Sequence, residues 1–330
     1  MNKTIRTALM IRLVFVAVSL LTYFATATNA RTPNAPAPIL VTDTNDVMNG
    51  KMPRLPAFPK LAKKAGYLPG YVKDSRGNPL AGAYVMITPP ALFGYSGSRN
   101  SMTVRSDANG LYEVKIPTGG CQIWCAGHGV SYNGIRLALP LYPADGEFDT
   151  SLPYPAGAVE NLVLLPYGVV DASTVSSNPV YSGAYYGASF TVGYSTRETD
   201  DTFAPKHWLP LGSEVEIALT PDGPLMDGSA GLPLMIRKKL TGASYFQVNN
   251  VPIGRYQIRA RLLTAGREEM LTLTDNSGRP GNGGLEPKEA VGQATVLFRS
   301  DSGDPATLRV SGGNMERLGL LIAGITYPKE

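Results

Sequence analysis

Two cysteines, Cys121 and Cys125, are the only thiol-bearing residues of the 330-residue chain. In an oxidising compartment two cysteines usually pair. Along a regular strand, however, a spacing of four residues places their Cα atoms about 13 Å apart, at ~3.3 Å per residue. A disulfide tolerates only roughly 4.4–6.8 Å. Either the strand bulges and a small disulfide ring closes, or both residues are buried thiols; a redox-active pair is disfavoured because the spacing is not C-x-x-C.

The two histidines, His128 and His207, are far apart in sequence and fall in different predicted modules. The sequence also lacks the G-x-S-x-G elbow of serine hydrolases. Asp107 and Asn109, followed by Gly110, resemble part of a calcium loop, but the acidic residues that would complete the shell are missing, which favours an Asx-type turn. We therefore predict no catalytic residues, no metal site and no cofactor.

Short alternating runs, separated by Gly, Pro, Asn and Asp, dominate the chain beyond Gly66. In residues 111–116 (LYEVKI), 215–219 (VEIAL) and 256–262 (YQIRARL), the charged and amide side chains all fall on alternate positions. A period of two places one face of a strand in a core and the other in water. No convincing amphipathic helix is present, so the pattern predicts an all-β fold.

A short internal sequence repeat suggests a duplicated module. Residues 116–123 (IPTGGCQI) align without gaps on residues 251–258 (VPIGRYQI). In both segments a strand ends at an apolar residue, Pro and Gly form a turn, and a new strand begins.

The N-terminus has the features of a secretory signal peptide. Basic residues precede an apolar run over residues 13–21, and small residues follow at 25–27. The apolar run is shorter than the ~20 residues that span a bilayer. We predict a signal peptide over residues 1–27, with cleavage as late as residue 30, no transmembrane segment after cleavage, and export to the periplasm, the cell surface or the medium.

Residues 28–65 are basic and rich in proline, which predicts an extended, semi-stiff linker. The positive sign of the net charge of +4 comes from the first 65 residues, because residues 1–27 carry +3 and residues 28–65 carry +4, whereas residues 66–330 carry −3. A nucleic-acid surface would need basic residues gathered on the folded part. We therefore predict no nucleic-acid partner.

Two motifs resemble carboxypeptidase regulatory-like domains. Residues 70–85 (GYVKDSRGNPLAGAYV) look like the opening of such a domain, and residues 106–112 (SDANGLY) with 116–119 (IPTG) look like its continuation. The resemblance covers residues 66–168, and the second half shares it only through residues 249–260. It implies a transthyretin-like sandwich of seven or eight strands, in a family whose members usually bind, space or stabilise. We predict two Ig-like or transthyretin-like β-sandwich modules in tandem, at 66–168 and 169–330, with the extent of the second module left open.

Aromatic residues in glycine- and serine-containing segments are the candidate ligand contacts, because loops on a rigid sandwich often carry recognition residues. The predicted contacts are Phe93, Tyr95, Tyr132, Tyr185, Tyr186 and Trp208. The alternative is that these rings cap the ends of the sandwiches.

The leading hypothesis is a non-catalytic exported protein with a binding or scaffolding role at the cell envelope. Its partner would be an envelope polysaccharide or another envelope or secreted protein. Two alternatives stay open: an accessory component of a secreted polysaccharide- or peptide-processing system, and an adhesin or pilus-type structural subunit.

Overall fold

Extended strands joined by tight turns account for most of the structure, which is a computed structural model. It describes residues 36–89, 101–147, 151–198, 203, 205–264, 267–276, 284–298, 304–308 and 317–324. The predicted signal peptide and the candidate contacts Phe93 and Tyr95 lie outside the described residues.

The first half of the chain forms two four-stranded sheets. The strands are β1 (Ile39–Val41), β2 (Tyr67–Asp74), β3 (Tyr84–Thr88), β4 (Met102–Arg105), β5 (Leu111–Lys115), β6 (Gln122–Tyr132), β7 (Ile135–Pro140), β8 (Tyr142–Pro143) and β9 (Leu162–Leu164). One sheet has the order β5-β2-β9-β8 and the other the order β4-β3-β6-β7. Strand β1 belongs to neither, because it joins a sheet of the second half.

The second half forms two larger sheets and a two-stranded pair. Its strands are β10 (Ala188–Gly193), β11 (Thr196–Arg197), β12 (Leu209–Pro210), β13 (Glu214–Pro221), β14 (Leu234–Lys239), β15 (Tyr245–Val251), β16 (Arg255–Thr264), β17 (Arg267–Met270), β18 (Thr272–Asp275), β19 (Leu285–Glu286), β20 (Glu289–Val291), β21 (Gln293–Leu297) and β22 (Arg317–Ala323). One sheet runs β1-β14-β13-β16-β21-β19, with β17 beside β16. The other runs β15-β10-β22-β18-β20.

The alternating sequence pattern explains how these sheets form a core. In β13, Val215, Ile217 and Leu219 are fully buried, as the period of two predicts. One continuous apolar cluster contains side chains from all four large sheets. The prediction of an all-β, sandwich-type fold is confirmed.

The two segments of the internal repeat, residues 116–123 and 251–258, occupy equivalent positions in the fold. Residues 116–121 carry the chain from β5 in one sheet to β6 in another, and residues 252–254 likewise carry it from β15 to β16 in a different sheet. Strands β6 and β16 are both central strands, each paired on two sides. The shared sequence therefore corresponds to a shared crossing between sheets.

The predicted Asx-type turn is present. The side chain of Asp107 accepts hydrogen bonds from the backbone N–H groups of Asn109 (2.8 Å) and Leu111 (2.9 Å). Gly110 adopts a φ of 74°, a conformation that glycine enters at little cost. Asp107 Oδ1, which a calcium loop would present to the ion, is thus engaged with the turn itself.

The stretch predicted to be a spacer differs from that expectation after residue 37, since residues 38–330 form one compact unit. Strand β1 pairs in parallel with β14, from Ile39 opposite Leu234 to Val41 opposite Ile236. Val41, Val47 and Met48 are buried in the common core. The linker prediction rested on the many prolines of the segment and gave no weight to these few apolar residues. Their burial holds the segment against the second half.

Helical structure is minor within the described residues. The short helix α1 (Ala172–Ser177) begins at Asp171, whose side chain accepts a hydrogen bond from the Ser173 N–H, and it buries none of its residues. Single 3-10 turns occur at Ser182–Ala184 and Pro305–Thr307. None of the helices in this described part has the length and apolar character needed to cross a membrane.

Candidate functional site

A cleft of about 330 Å³ lies where the two halves of the chain meet. Its walls come from the segment around β1, the turn after β2, the connector between the halves, the β13–β14 loop and the β15–β16 turn. Ile39, Leu232, Leu234 and Pro252 supply apolar surface. Clefts at the junction of domains are a common location for ligand sites.

The turn after β2 positions two polar residues at this cleft. The side chain of Asp74 accepts hydrogen bonds from the backbone N–H groups of Arg76 (3.0 Å) and Asn78 (2.8 Å). Gly77 completes the turn with a φ of 91°. This turn lies within the motif at residues 70–85, and it presents Ser75 and Arg76 to the cleft.

Asp227 in the β13–β14 loop connects the two halves through its carboxylate. Ser75 donates a short hydrogen bond from its hydroxyl to Oδ2. Ser229 donates to Oδ1 from both its backbone N–H (3.0 Å) and its hydroxyl (2.6 Å). One carboxylate thus fixes the β2 turn of the first half against a loop of the second half.

The cleft carries more positive than negative charge. Arg54 and Arg76 line it together with one carboxylate, that of Asp227. Both arginines are exposed, and neither forms an ion pair within the part of the chain that the structure describes. Arg76 has only a long contact of 3.5 Å to the backbone oxygen of Asp227. Both guanidinium groups are therefore available to an anion.

Tyr167 adds a phenol to the lining. Burial raises the pKa of Tyr167, and the negative charge of Asp227 raises it further. The group is therefore a neutral hydroxyl at physiological pH, with both a donor and an acceptor function.

Three of the aromatic residues predicted to contact a ligand are buried. Tyr132 and Tyr185 donate hydrogen bonds from their hydroxyls to the backbone oxygens of Pro224 (2.6 Å) and Pro179 (3.1 Å). Tyr186 packs edge-on against Tyr142, with ring centroids 5.1 Å apart. The small residues around Tyr185 and Tyr186 give the rings room inside the protein, so these tyrosines are core residues and not exposed contacts.

Burial also changes the acidity of these tyrosines. It raises the pKa of Tyr185 to about 12, with a smaller contribution from Asp46, and it raises that of Tyr186 well above its ordinary value. Trp208 is half-buried, and its backbone oxygen accepts a hydrogen bond from Arg197 Nε at 3.2 Å. None of the four described candidates lines the junction cleft.

The two cysteines are buried and are not joined by a disulfide. Cys121 precedes β6 and bridges to Leu152, whereas Cys125 lies opposite Met86 in β3. The pairing register between β3 and β6 shifts at Met86 and Ile87, so a bulge exists without closing a ring. Burial raises the pKa of Cys121 to about 11.

The histidines lie in different environments. His128 is half-buried in β6, and burial, with a smaller effect of Arg136, lowers its pKa. His207 is exposed. Within the described residues, no group of three or more His, Cys, Asp or Glu side chains is arranged to hold a metal ion.

Sequence reasoning did not identify the residues of the cleft, because five separated segments assemble it. The local signals were Asp227 and Ser229, spaced as an Asx turn, and Ser75 and Arg76 within the turn of the recognised motif. Neither signal reveals that the two turns face each other across 152 residues of sequence.

Comparisons with known proteins give only distant likenesses. No protein-family model and no curated protein matches the chain. Among solved structures, the TIE protein of Bacillus anthracis is 14% identical at a TM-score of 0.21, covering 61% of this chain and 29% of its own. A variant of the major pilin from Streptococcus pyogenes is 9% identical at a TM-score of 0.19, covering 78% of this chain and 96% of its own. A variant of the shaft pilin SpaA from Lactobacillus rhamnosus GG is 8% identical at a TM-score of 0.18, covering 80% of this chain and 100% of its own. Likenesses at such TM-scores do not extend to function.

Proposed function

We propose that this chain is a non-catalytic binding protein of the cell envelope and that the junction cleft is its ligand site. The observation that carries the proposal is the pair of exposed arginines, Arg54 and Arg76, without ion-pair partners among the described residues, in the cleft where the two halves of the chain meet. The signal-like N-terminus supports an envelope location. The resemblance to carboxypeptidase regulatory-like domains, whose members usually bind or stabilise, is compatible with it.

Rigidity at the junction supports a binding role. Tyr132 bonds to Pro224 and Ser75 bonds to Asp227, each across the two halves. On a third side, the backbone N–H of Ala126 in β6 donates to the oxygen of Leu308 at 3.1 Å. A cleft whose walls are fixed before binding loses less entropy when a ligand enters.

The hydrogen bonds of the cleft favour binding over covalent catalysis. Ser75 and Ser229 both donate their hydroxyl protons to the carboxylate of Asp227. A nucleophilic serine is usually activated by a histidine base, and neither His128 nor His207 lines the cleft. These hydroxyls therefore act as structural links and as further acceptors.

The proposal is tested by retention of envelope components on immobilised protein. Arg76→Ala should reduce retention of polysaccharide or protein from an envelope extract. Arg267→Ala removes the same charge from the exposed strand β17 and should leave retention unchanged. Equal retention by both variants and the parent, or no retention at all, would refute the cleft as the ligand site.

A further inference from the structure

We propose, on the basis of the proposed function, that the ligand is an acidic saccharide whose carboxylate is bound by Arg54 and Arg76. A uronate unit has the required chemistry, because it combines one carboxylate with several hydroxyl groups and a ring with an apolar face. Each of these three features has a counterpart in the junction cleft.

The charge of the lining points to a carboxylate. The two guanidinium groups face one acidic side chain, Asp227, whose oxygens already accept hydrogen bonds from Ser75 and Ser229. Arginine binds carboxylates through paired, charge-assisted hydrogen bonds, which are stronger and more directional than neutral ones. An anionic group entering the cleft would complete the pairing of Arg54 and Arg76.

The backbone around the cleft argues against an extended peptide. Five main-chain N–H groups of residues that line or adjoin the cleft are already bonded: Ile39 to Pro233 (2.8 Å), Leu225 to Ser229 (2.8 Å), Met226 to Ile253 (3.0 Å), Gly228 to Leu225 (2.9 Å) and Ile253 to Pro166 (2.9 Å). Recognition of a peptide by strand addition needs a row of unpaired main-chain groups. These five N–H groups are therefore unavailable to a peptide backbone, and side chains of the lining supply polar groups for a ligand.

Those side chains match the hydroxyl groups of a sugar. The oxygens of Ser75, Ser229 and Asp227 retain acceptor lone pairs beyond the bonds they already form. The phenol of Tyr167 both donates and accepts. Hydroxyl groups are donors and acceptors at once, so they can bond to this mixed set with little mismatch.

The remaining wall is apolar and open to solvent. Leu232 is 45% exposed, and it lines the cleft with Ile39 and Pro252. Such a wall can pack against the C–H face of a sugar ring. The volume of about 330 Å³ is near the small end of ligand sites, roughly 300–1,000 Å³, which suits the end or a short stretch of a saccharide chain.

Calorimetric titration of the full secreted chain with uronate tetramers tests the inference. The panel is tetragalacturonate, tetraglucuronate and tetramannuronate, each alongside its methyl ester, which keeps the hydroxyls and removes the charge. We expect at least one acid to bind, its ester to bind about tenfold more weakly or worse, and affinity to fall as salt increases.

Matched variants locate the binding. Arg76→Gln should weaken binding of the acid by about tenfold or more, since it removes a charge-assisted pair, whereas Arg267→Gln should leave it unchanged. Circular dichroism and thermal melting confirm that both variants fold. No binding by any of the acids, equal binding of the esters, or an unchanged affinity of Arg76→Gln would overturn the inference.

The outcome is separable from that of the proposed function. If an envelope extract is retained in an Arg76-dependent manner but no uronate tetramer binds, the cleft is a ligand site for another class and the saccharide inference is wrong. A peptide with a free C-terminal carboxylate serves as the competing probe. Its binding, dependent on Arg76 and stronger than that of the uronates, would assign the site to protein ligands instead.

Discussion

The hydroxyl of Tyr132 donates a hydrogen bond to the backbone oxygen of Pro224 at 2.6 Å and accepts one from the backbone N–H of Arg255 at 3.0 Å. Tyr132 ends β6 in the first half; in the second half, Pro224 lies in the β13–β14 loop and Arg255 begins β16. A single phenol thereby links the first half of the chain to a loop and a strand of the second half, next to the junction cleft.

Tyr132→Phe should destabilise the protein by about 1 kcal/mol, because the ring still fills its site while both backbone groups lose their partner. Urea unfolding, followed by fluorescence, measures the change. Tyr245→Phe is the control, since that side chain is 60% exposed, and it should change stability little. A stability of Tyr132→Phe equal to that of the parent would show that the hydroxyl contributes nothing to the junction.

Asn250 is the centre of a second buried connection. Its side chain accepts a hydrogen bond from the Gly168 N–H (2.8 Å) and donates one to Asp46 Oδ1 (2.8 Å). Asp46 also accepts from the N–H groups of Met48 (2.9 Å) and Gly50 (2.7 Å). The connector between the halves and the N-terminal segment are therefore both bonded to one asparagine, which has a φ of 62°.

Substitutions of Asn250 separate the contribution of its side-chain hydrogen bonds to stability from the cost of its positive φ. Asn250→Gly removes the side-chain bonds and keeps the backbone free to adopt positive φ, and it should cost about 2–4 kcal/mol because it leaves buried partners unbonded. Asn250→Ala should cost about 1 kcal/mol more, because alanine is strained at positive φ. Thermal melts of both variants measure this difference.

The exposed Asn133, with a φ of 47°, provides the control. Asn133→Ala should show the backbone cost alone, relative to Asn133→Gly. If the glycine variant at position 250 were as stable as the parent, the buried side-chain bonds would be energetically unimportant.

Sequence reasoning succeeded where the determining interactions are local. The alternation at Val215, Ile217 and Leu219 predicted which face of β13 is buried, and the spacing of Asp107 and Gly110 predicted an Asx turn. The internal repeat at residues 116–123 and 251–258 corresponds to two equivalent connections between strands of different sheets. Each of these features depends on residues within a few positions of one another.

Interactions between distant segments were beyond that reasoning. The contact of Ser75 with Asp227, and the burial of Val47 beside β15, depend on how whole sheets pack. Tyr185 and Tyr186 illustrate the same limit, because neighbouring small residues fit either an exposed loop or a site that encloses a large ring. Tertiary packing decides between these two outcomes.

The cysteines should behave as two protected thiols. Without reductant, the folded protein should react slowly with iodoacetamide at pH 8, because Cys121 is buried and its pKa of about 11 leaves little thiolate. After unfolding in denaturant, still without reductant, mass spectrometry should find both cysteines labelled. Labelling that appears only after reduction would demonstrate a disulfide and contradict the structure.

The segment before β2 should contribute to stability. A chain that begins at residue 36 should fold normally, whereas one that begins at residue 52 loses β1 and the buried Val41, Val47 and Met48. Burial of each such side chain contributes about 1.5–3 kcal/mol, so the shorter chain should lose several kcal/mol or fail to fold.

Single substitutions test the same segment without removing it. Val47→Ala should cost about 2 kcal/mol because it deletes buried methyl groups. Leu55→Ala lies in the same stretch at 36% exposure and should cost much less. If the two substitutions lowered the free energy of unfolding equally, the segment would be a loosely attached linker and the prediction would be wrong.

His128 should make stability depend on pH. Burial, and to a lesser extent Arg136, lower the pKa of His128 in the folded protein, so folding favours the neutral ring. The stabilisation is therefore fully present above the unfolded pKa of about 6.5 and is lost as pH falls below it, towards the folded pKa. The free energy of unfolding should decrease between pH 7 and pH 5.

His128→Gln should flatten this decrease, whereas His207→Gln, at an exposed position, should retain it. If both variants kept the slope of the parent, other groups would be responsible for the acid sensitivity.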